Sequence, residues 1–405
     1  MHCTRKVTED IIWVGANDRR ITKFENLYPI TGGVSYNSYL ILDEKTCLMD
    51  TVDQSGSRQF AENVRYALNG RTLDYLVVQH MEPDHCSQIA YIMKHYKEAK
   101  IVVNAKTLPM IKQFFGEVEE ERFLVVKEMD TLSLGRHTLT FVMTPLVHWP
   151  EVMMTYDSAA KILFSADGFG TFGAVNGTLF DDEVDFDRDW IDEARRYYTN
   201  ICGKFGAQVQ AALQKAASLD IQMICPLHGI IWRKDPGYFI EKYQYWSSYE
   251  PEEKGVMIAY ASMYGNTENM AEILAFLLAE RGVKVKLYDV FATDTSWLLS
   301  EAFHYSHILL ASPTYNGGIY PLMDHFLHEM KTHGLKNRTF ILAENGTWGP
   351  AAVRIMGKQI EELKNCRILE PTATIKSSVK DEQMALFVQM TDAILESMKE
   401  NPSEM

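Results

Sequence analysis

The sequence predicts an α/β protein of two domains, a layered mixed-sheet domain followed by a doubly wound parallel sheet. The chain has 405 residues, more than one ordinary hydrophobic core accommodates. Short strands dominate the first part of the sequence, whereas strands and helices alternate regularly in the last part. A polar stretch at 246–254 separates the two patterns, so we expect a domain boundary there.

The first predicted domain, residues 1–249, contains strand segments that are β-branched or alternate between apolar and polar residues. These predicted strands lie at 36–42, 72–78, 100–104, 138–143, 152–156, 161–165 and 221–225. Predicted helices lie at 56–67, 87–95, 108–115 and 185–218. Helices stand between only some of the strands, which predicts layered, mixed sheets.

The second predicted domain, residues 255–400, follows a linker at 250–254. Its predicted strands lie at 256–260, 284–289, 308–311, 340–343 and 367–375, and a helix follows each of them. The first of these helices covers 268–280 and the last covers 381–399. Regular alternation over about 150 residues is typical of a parallel doubly wound sheet.

Composition and charge exclude several classes of protein. Apolar residues make up 46% and charged residues 23% of the chain, which is typical of a globular protein. The net charge of −14 argues against a nucleic-acid binder, because such a protein must neutralise phosphates. Without a long apolar run or a secretory signal, we expect a cytoplasmic protein that does not contact a membrane. The six cysteines form no C-x-x-C pair, which argues against structural zinc and an attached rubredoxin-type iron site.

Four potential metal ligands fall within the segment His80-Met81-Glu82-Pro83-Asp84-His85, directly after a predicted strand. Three more candidates, His148, Asp167 and His228, also follow predicted strand ends. Functional residues of α/β proteins gather at the carboxyl ends of strands, so this recurrence indicates one shared site.

These seven residues supply four imidazoles and three carboxylates. The mixture of nitrogen and hard oxygen suits iron or manganese better than thiolate-preferring metals, although residue type alone leaves zinc open. Seven ligands are too many for one ion and suit two ions that share a bridging carboxylate. The alternative is that these histidines and acids are ordinary polar residues of loops and bind no metal. That interpretation suits an isolated histidine better than so dense a cluster.

The pattern H-x-E-x-D-H at 80–85 resembles the flavodiiron proteins when it is combined with His148-Trp149-Pro150-Glu151, Asp167 and the Leu227-His228-Gly229 turn. The resemblance implies a metallo-β-lactamase-like αβ/βα sandwich joined to a flavodoxin-like domain. Hydrolases of the same superfamily carry histidine where Glu82 stands, and a carboxylate there favours iron redox chemistry over zinc hydrolysis. The resemblance also implies that His80, Glu82 and His148 hold one iron, that Asp84, His85 and His228 hold the other, and that Asp167 bridges them.

The loop Ser262-Met263-Tyr264-Gly265-Asn266-Thr267 joins the first strand of the second domain to its helix. Its hydroxyls and the backbone N–H groups at the helix N-terminus can bind a phosphate. It matches neither a P-loop nor a dinucleotide loop, and it resembles the FMN phosphate loop of flavodoxins. Two later strand-end loops offer an aromatic and backbone amides, which suit a flat isoalloxazine ring. Their predicted FMN contacts are Pro313, Thr314, Tyr315, Asn316, Gly317, Asn345, Gly346, Thr347, Trp348 and Gly349.

The third of these loops, residues 344–349, is called the third flavin loop, and it departs from the commoner family pattern. Glu344 and Asn345 stand where the family usually has a serine and an aromatic, so the stacking side chain is left open. Glu344 would lower the flavin potential if it lay close to the ring.

The resemblance implies an oxidoreductase that reduces dioxygen to water, nitric oxide to nitrous oxide, or both, with electrons from FMN. It implies a head-to-tail homodimer, or a dimer of dimers, in which the flavin of one subunit meets the irons of the other. The electrons would come from a separate rubredoxin-type protein or a reduced deazaflavin. Two alternatives stay open: a zinc hydrolase with an appended flavodoxin-like domain, and an electron carrier without gas-reducing activity.

Overall fold

The computed structural model describes residues 1–400, and its contacts divide this part of the chain into two compact units. One unit contains Met1–Tyr198 and Ala207–Gln244, and the other contains Thr199–Gly206 and the chain from Tyr245 onward. No helix within the described residues is long and apolar enough to span a membrane.

The first unit contains a sheet of seven strands and a sheet of five. In spatial order the larger sheet consists of Arg5–Lys6, Ile11–Trp13, Tyr39–Leu42, Thr46–Met49, Tyr75–Val77, Lys100–Asn104 and Phe123–Val126. The smaller sheet consists of Thr131–Ser133, Thr138–Met143, Met153–Asp157, Ile162–Phe164 and Met223–Cys225. Two further pairs join Ala16–Asp18 to Val34–Tyr36 and Lys23–Phe24 to Tyr28–Pro29. Both large sheets combine parallel and antiparallel pairs, which confirms the predicted mixed sheets.

The central strands of the larger sheet form the core of this unit. Ile101, Val102 and Val103 are fully buried, because the strand pairs in parallel on both sides and both of its faces are covered. The helices before residue 249 are Ser57–Leu68, Pro83–Cys86, Ile89–His95, Thr107–Phe115, Phe186–Asp189, Ile191–Tyr197, Gly206–Ala216 and Pro236–Ser248.

The single long helix predicted at 185–218 is wrong, because the structure breaks it. Trp190 separates two short helices, and a π turn at Tyr198–Cys202 and a 3₁₀ turn at Gly203–Phe205 precede the next helix. Gly203 and Gly206 lie in this interrupted segment, and glycine is a weak helix former. A Cβ atom on Gly206 would also lie 2.5 Å from the carbonyl oxygen of Ser247, so close backbone packing requires glycine there.

The second unit is a parallel sheet with helices between its strands, as predicted. Its spatial order is Val285–Asp289, Glu253–Tyr260, Tyr305–Tyr315, Thr339–Asn345, and then Arg367–Ile368 and Ala373–Ile375, which both pair with Thr339–Asn345. The short strand Gly318–Ile319 pairs antiparallel with Tyr305–Tyr315. Helices Asn266–Glu280, Thr295–His304, Pro321–Thr332, Ala352–Ile360 and Met384–Ser397 complete the unit.

Two predicted boundaries in the second unit differ from the structure. Its first strand begins at Glu253 rather than at 256, so 253–254 belong to the sheet and not to the predicted linker. The predicted strand 367–375 is two strands, since the chain leaves the sheet around Pro371, which has no backbone N–H to donate.

Candidate metal and flavin sites

Strand ends of both sheets of the first unit bring the seven predicted ligands together. Strand Tyr75–Val77 leads into His80, and the short helix Pro83–Cys86 carries Asp84 and His85, with Glu82 at its N-cap position. The other three ligands follow strands of the smaller sheet: His148 follows Thr138–Met143, Asp167 follows Ile162–Phe164, and His228 follows Met223–Cys225.

The first group of ligands consists of His80, Glu82, His148 and Asp167. Glu82 Oε2 lies 3.3 Å from His80 Nε2 and 3.0 Å from His148 Nε2. Asp167 Oδ2 lies 3.2 Å from the Nε2 atoms of the same two histidines. Ligands on neighbouring corners around one ion stand about 3 Å apart when each bond is about 2.1 Å long, so these distances fit one metal site.

The second group consists of Asp84, His85 and His228. Asp84 Oδ2 lies 3.3 Å from His85 Nε2 and 3.2 Å from His228 Nε2, and the two Nε2 atoms are 3.0 Å apart. Asp167 also reaches this group, because its Oδ1 lies 3.1 Å from His85 Nε2. One carboxylate therefore turns one oxygen to each group, which is the arrangement of a bridging ligand.

The donor atoms of this cluster fit two cations. His80, His85, His228 and Asp167 are at most 1% exposed, and Glu82, Asp84 and His148 are 9% exposed. Both oxygens of Asp84 and Oδ1 of Asp167 are buried and accept no hydrogen bond from the described residues. Buried carboxylates without donors are costly unless a positive charge compensates them. The residues present therefore suit two hard or borderline metal ions.

Groups behind the ligands fix their orientation. His80 Nδ1 lies 2.9 Å from Glu151 Oε1, and His228 Nδ1 lies 2.8 Å from the carbonyl oxygen of Ser35. Since both partners accept hydrogen bonds, each Nδ1 donates and each Nε2 is left for a metal. Gly229 must lack a side chain, because it has φ +78° and its Cβ would lie 2.0 Å from Thr171 Oγ1.

Three side chains near this cluster were not among the predicted ligands. The Trp149 ring packs edge-on against His80, with centroids 5.3 Å apart. Glu151 contacts His80 as described. Glu25 lies close to Glu82, and partial loss of hydration together with that carboxylate raises the pKa of Glu25 to about 8. Glu151 belonged to the quoted H-W-P-E motif, whereas no local pattern distinguishes Glu25, which lies 57 residues from Glu82.

The second unit contains a cavity of about 510 Å³ at the carboxyl ends of its parallel strands. This volume lies within the range of small-molecule and cofactor sites. All sixteen predicted FMN contacts except Gly265 and Tyr315 line it, and Ser377, which was not predicted, completes the lining. Tyr264 and Trp348 are the aromatic residues of the lining, and their side chains are 90% and 84% exposed.

The loop at 262–267 has the geometry of a phosphate site. Gly265 adopts φ +84° at the N-cap of the 15-residue helix Asn266–Glu280, and its N–H donates to Ser262 Oγ. The N-terminus of this helix lies at the cavity, where its first backbone N–H groups and the positive end of the helix dipole can bind an anion. Among residues 1–400 no lysine or arginine lines the cavity, so these neutral donors and the hydroxyls would hold an anion.

The hydrogen bonds of Glu344 and Asn345 show the structural role of each side chain. Glu344 is buried and turns away from the cavity: its Oε2 accepts from Val353 N–H and its Oε1 from Thr374 Oγ1. Asn345 pairs with Ser377 in both directions, since Nδ2 donates to the Ser377 carbonyl and Ser377 N–H donates to Oδ1. Glu344 therefore caps the following helix, and Asn345 connects its loop to the segment after the last strand.

Two known protein families match this chain, one in each unit. The family described as "ODP family beta lactamase" matches residues 34–229, and the family described as "Flavodoxin" matches residues 258–388. These matches confirm the predicted fold class, a metallo-β-lactamase-like domain followed by a flavodoxin-like domain.

Two curated relatives cover most of the chain. The nitric oxide reductase of Moorella thermoacetica is 33% identical over 381 residues, which cover 93% of this chain and 94% of the relative. The anaerobic nitric oxide reductase flavorubredoxin of Klebsiella pneumoniae is 33% identical over 362 residues, which cover 88% of this chain and 74% of the relative.

Two solved structures are similar over almost the whole chain. The rubredoxin oxygen:oxidoreductase of Desulfovibrio gigas has a TM-score of 0.90 and 27% identity, and the match covers 98% of this chain and 99% of that chain. The flavodiiron protein of Giardia intestinalis has a TM-score of 0.90 and 27% identity, and the match covers 98% of each chain.

Proposed function

Because this chain belongs to the flavodiiron proteins, we propose that it reduces nitric oxide to nitrous oxide, dioxygen to water, or both. The family gives the chain its cofactors, FMN and two non-haem iron ions, and makes it an oxidoreductase. The relatives named above favour nitric oxide as a substrate, and the similar oxygen:oxidoreductase favours dioxygen. Cys3, Cys47, Cys86, Cys225 and Cys366 form no disulfide, which agrees with a reducing compartment and thus with a cytoplasmic protein.

The position of Glu82 carries this proposal. Its carboxylate lies 3.0 Å and 3.3 Å from two imidazoles of one candidate site, so that site has two anionic ligands and two imidazoles. A hard, anionic donor set stabilises ferric iron more than a set of three neutral imidazoles would. We therefore assign His80, Glu82, His148 and Asp167 to one iron, and Asp84, His85, His228 and Asp167 to the other.

The protein supplies positioning and exclusion of water. When bound, the irons offer two adjacent Lewis-acidic redox centres, and FMN passes electrons singly or in pairs. Asp167 fixes the spacing of the two sites. Glu82, Asp84 and His148 are the slightly exposed ligands, so their side of the cluster is where a small gas molecule enters. Protons reach this side through water.

The FMN site and the iron site must meet for electron transfer, and we propose that a head-to-tail homodimer, or a dimer of dimers, achieves this. The exposed aromatic residues around the flavin cavity, Tyr264 and Trp348, suit an interface of this kind. A rubredoxin-type protein or a reduced deazaflavin would supply the electrons.

The decisive experiment is single turnover of protein that holds iron and FMN, has been reduced under anaerobic conditions and is then mixed with one of the two gases. We expect nitric oxide to yield nitrous oxide, or dioxygen to yield water without peroxide, with both rates measured. The variant His80→Asn removes a ligand and should lose this turnover, whereas His325→Asn alters an exposed histidine of the second unit and should keep it.

Two results would refute the proposal. Two bound zinc ions together with ester hydrolysis would indicate the hydrolase alternative. Undiminished gas reduction in His80→Asn would indicate that the first domain is not the site of gas reduction, as in a simple electron carrier.

A further inference from the structure

The two candidate iron sites have closely matched ligands. Each site has two imidazoles and one carboxylate of its own, and Asp167 offers one oxygen to each. The coordinating residues alone would therefore give the two ions nearly equal charge and basicity. A difference between the ions has to come from the groups behind the ligands.

Behind His80 lies a buried carboxylate. Glu151 Oε1 accepts from His80 Nδ1 at 2.9 Å and from Met81 N–H at 2.8 Å. Both His80 and Glu151 are at most 1% exposed, so little water screens the pair. Among residues 1–400 the second oxygen, Oε2, has no hydrogen-bond partner, so no acceptor is present for a carboxyl proton. The ionised carboxylate attracts the Nδ1 proton, and the imidazole Nε2 therefore becomes a stronger electron-pair donor to a metal ion.

Among residues 1–400 no carboxylate hydrogen-bonds the Nδ1 atom of either histidine of the second site. His228 Nδ1 donates to the neutral carbonyl of Ser35, and the buried Nδ1 of His85 has no hydrogen-bond partner within the described chain. Asp50 lies close to both His80 and His85, but its oxygens bond Gln79 and the His80 backbone N–H rather than either ring.

We propose that Glu151 is a positioning residue that makes the two irons inequivalent. An iron ion held by His80, Glu82 and His148 would receive more electron density and have the lower reduction potential, whereas one held by Asp84, His85 and His228 would have the higher reduction potential. When the doubly reduced protein is oxidised by one electron, a chemical mediator would therefore take that electron from the first of these sites. This inference rests on the proposed function.

The variant Glu151→Gln separates the effect of the negative charge of Glu151 from the effect of its hydrogen bonds. Its amide oxygen can still accept from His80 Nδ1 and Met81 N–H, while the negative charge is lost. Asp157→Asn is the matched control, because Asp157 Oδ2 also bonds a buried histidine, His137, at Nδ1. Asp157 is the last residue of the strand Met153–Asp157, six residues beyond Glu151, and belongs to neither metal group.

The test is a mediated redox titration of the full chain with iron and FMN, followed by electron paramagnetic resonance, together with iron retention under a chelator. In Glu151→Gln we expect the lower of the two iron potentials to rise more than the higher one, so that their separation narrows. We also expect iron affinity to fall about 10- to 100-fold at one of the two sites. Asp157→Asn should leave both potentials and the iron content unchanged.

Equal movement of both potentials, or no movement, in Glu151→Gln would overturn the inference. It would also be overturned if Glu151→Ala lost one iron while Glu151→Gln matched the wild type in potentials and affinity, since the hydrogen bond alone would then suffice. A wild-type protein that prefers zinc after loading with both metals would instead overturn the proposed function.

Discussion

The pair Asn345 and Ser377 leads to a quantitative prediction for FMN binding. Asn345→Ala removes two hydrogen bonds, of 2.8 Å and 3.1 Å, that hold the third flavin loop against the segment after the last strand. Neutral hydrogen bonds contribute about 1 kcal/mol each, so the loop loses about 2 kcal/mol of stabilisation. Two other contacts to this segment stay, Gly346 N–H to the Ile375 carbonyl and Thr347 to Ser377.

This loss should appear as weaker FMN binding. If the cofactor binds only the ordered loop, its apparent dissociation constant equals the intrinsic constant divided by the fraction of protein in which the loop is ordered. About 2 kcal/mol corresponds to a limit of roughly 30-fold, because 1.4 kcal/mol is tenfold. Titration of FMN-free protein with FMN, followed by quenching of the flavin fluorescence, measures the constant without any turnover.

A matched control is Gln359→Ala, which removes a side-chain amide hydrogen bond to Asp324 in the same unit. Gln359 does not line the flavin cavity, so its replacement should leave FMN affinity unchanged. An Asn345→Ala protein that binds FMN as tightly as the wild type, or more than about 30-fold more weakly, would refute the reasoning, because two neutral hydrogen bonds contribute about 2 kcal/mol in total.

Three further predictions concern the metal preference and the stability of the protein. Glu82→His should bind zinc in preference to iron when both are offered, as metal analysis would show; retention of two irons would contradict the assignment of Glu82. Arg338 is fully buried and donates to the carbonyls of Tyr249, Ala302 and Phe303, so Arg338→Met should lower the free energy of unfolding in urea by about 3–5 kcal/mol. Burial and nearby cations lower the pKa of His307 to about 4. The unfolded chain then binds more protons between about pH 6.5 and pH 4, so this contribution, about 3 kcal/mol, is present above pH 6.5 and is lost as pH falls to 4. Urea unfolding of His307→Gln at several pH values should show a shallower decrease than the wild type, and equal slopes would contradict the prediction.

The sequence contained enough information for the chemistry of the metal cluster. His80, Glu82, Asp84 and His85 lie within six residues, so their residue types and spacing were visible without any tertiary contact. The strand-end positions of His148, Asp167 and His228 indicated the same site, because functional residues of α/β proteins gather at the carboxyl ends of strands. The structure adds that these three residues follow strands of a different sheet from the strand before His80. The structure brings all seven side chains into the two groups that the family resemblance implied.

Local patterns were a poorer guide to backbone continuity. Helical composition over 185–218 concealed the breaks at Trp190 and at Tyr198–Phe205, which depend on packing partners distant in sequence. His307, one of several histidines of the second domain, is buried in a central strand between Ser306 and Ser397. Sequence periodicity reports neighbours within a few residues, whereas such burial depends on which helix covers the strand.

The sequence by itself determined the fold class, the seven metal-binding candidates and most of the flavin cavity, because each depends on short-range motifs at strand ends. Only the tertiary structure decided how these groups are arranged. It turned one oxygen of Asp167 to each metal group, placed Glu151 behind His80 and a neutral carbonyl behind His228, and directed Glu344 away from the flavin cavity. Hydrogen bonds such as that between His228 and Ser35 join residues 193 positions apart, and they exist only once two sheets have packed together.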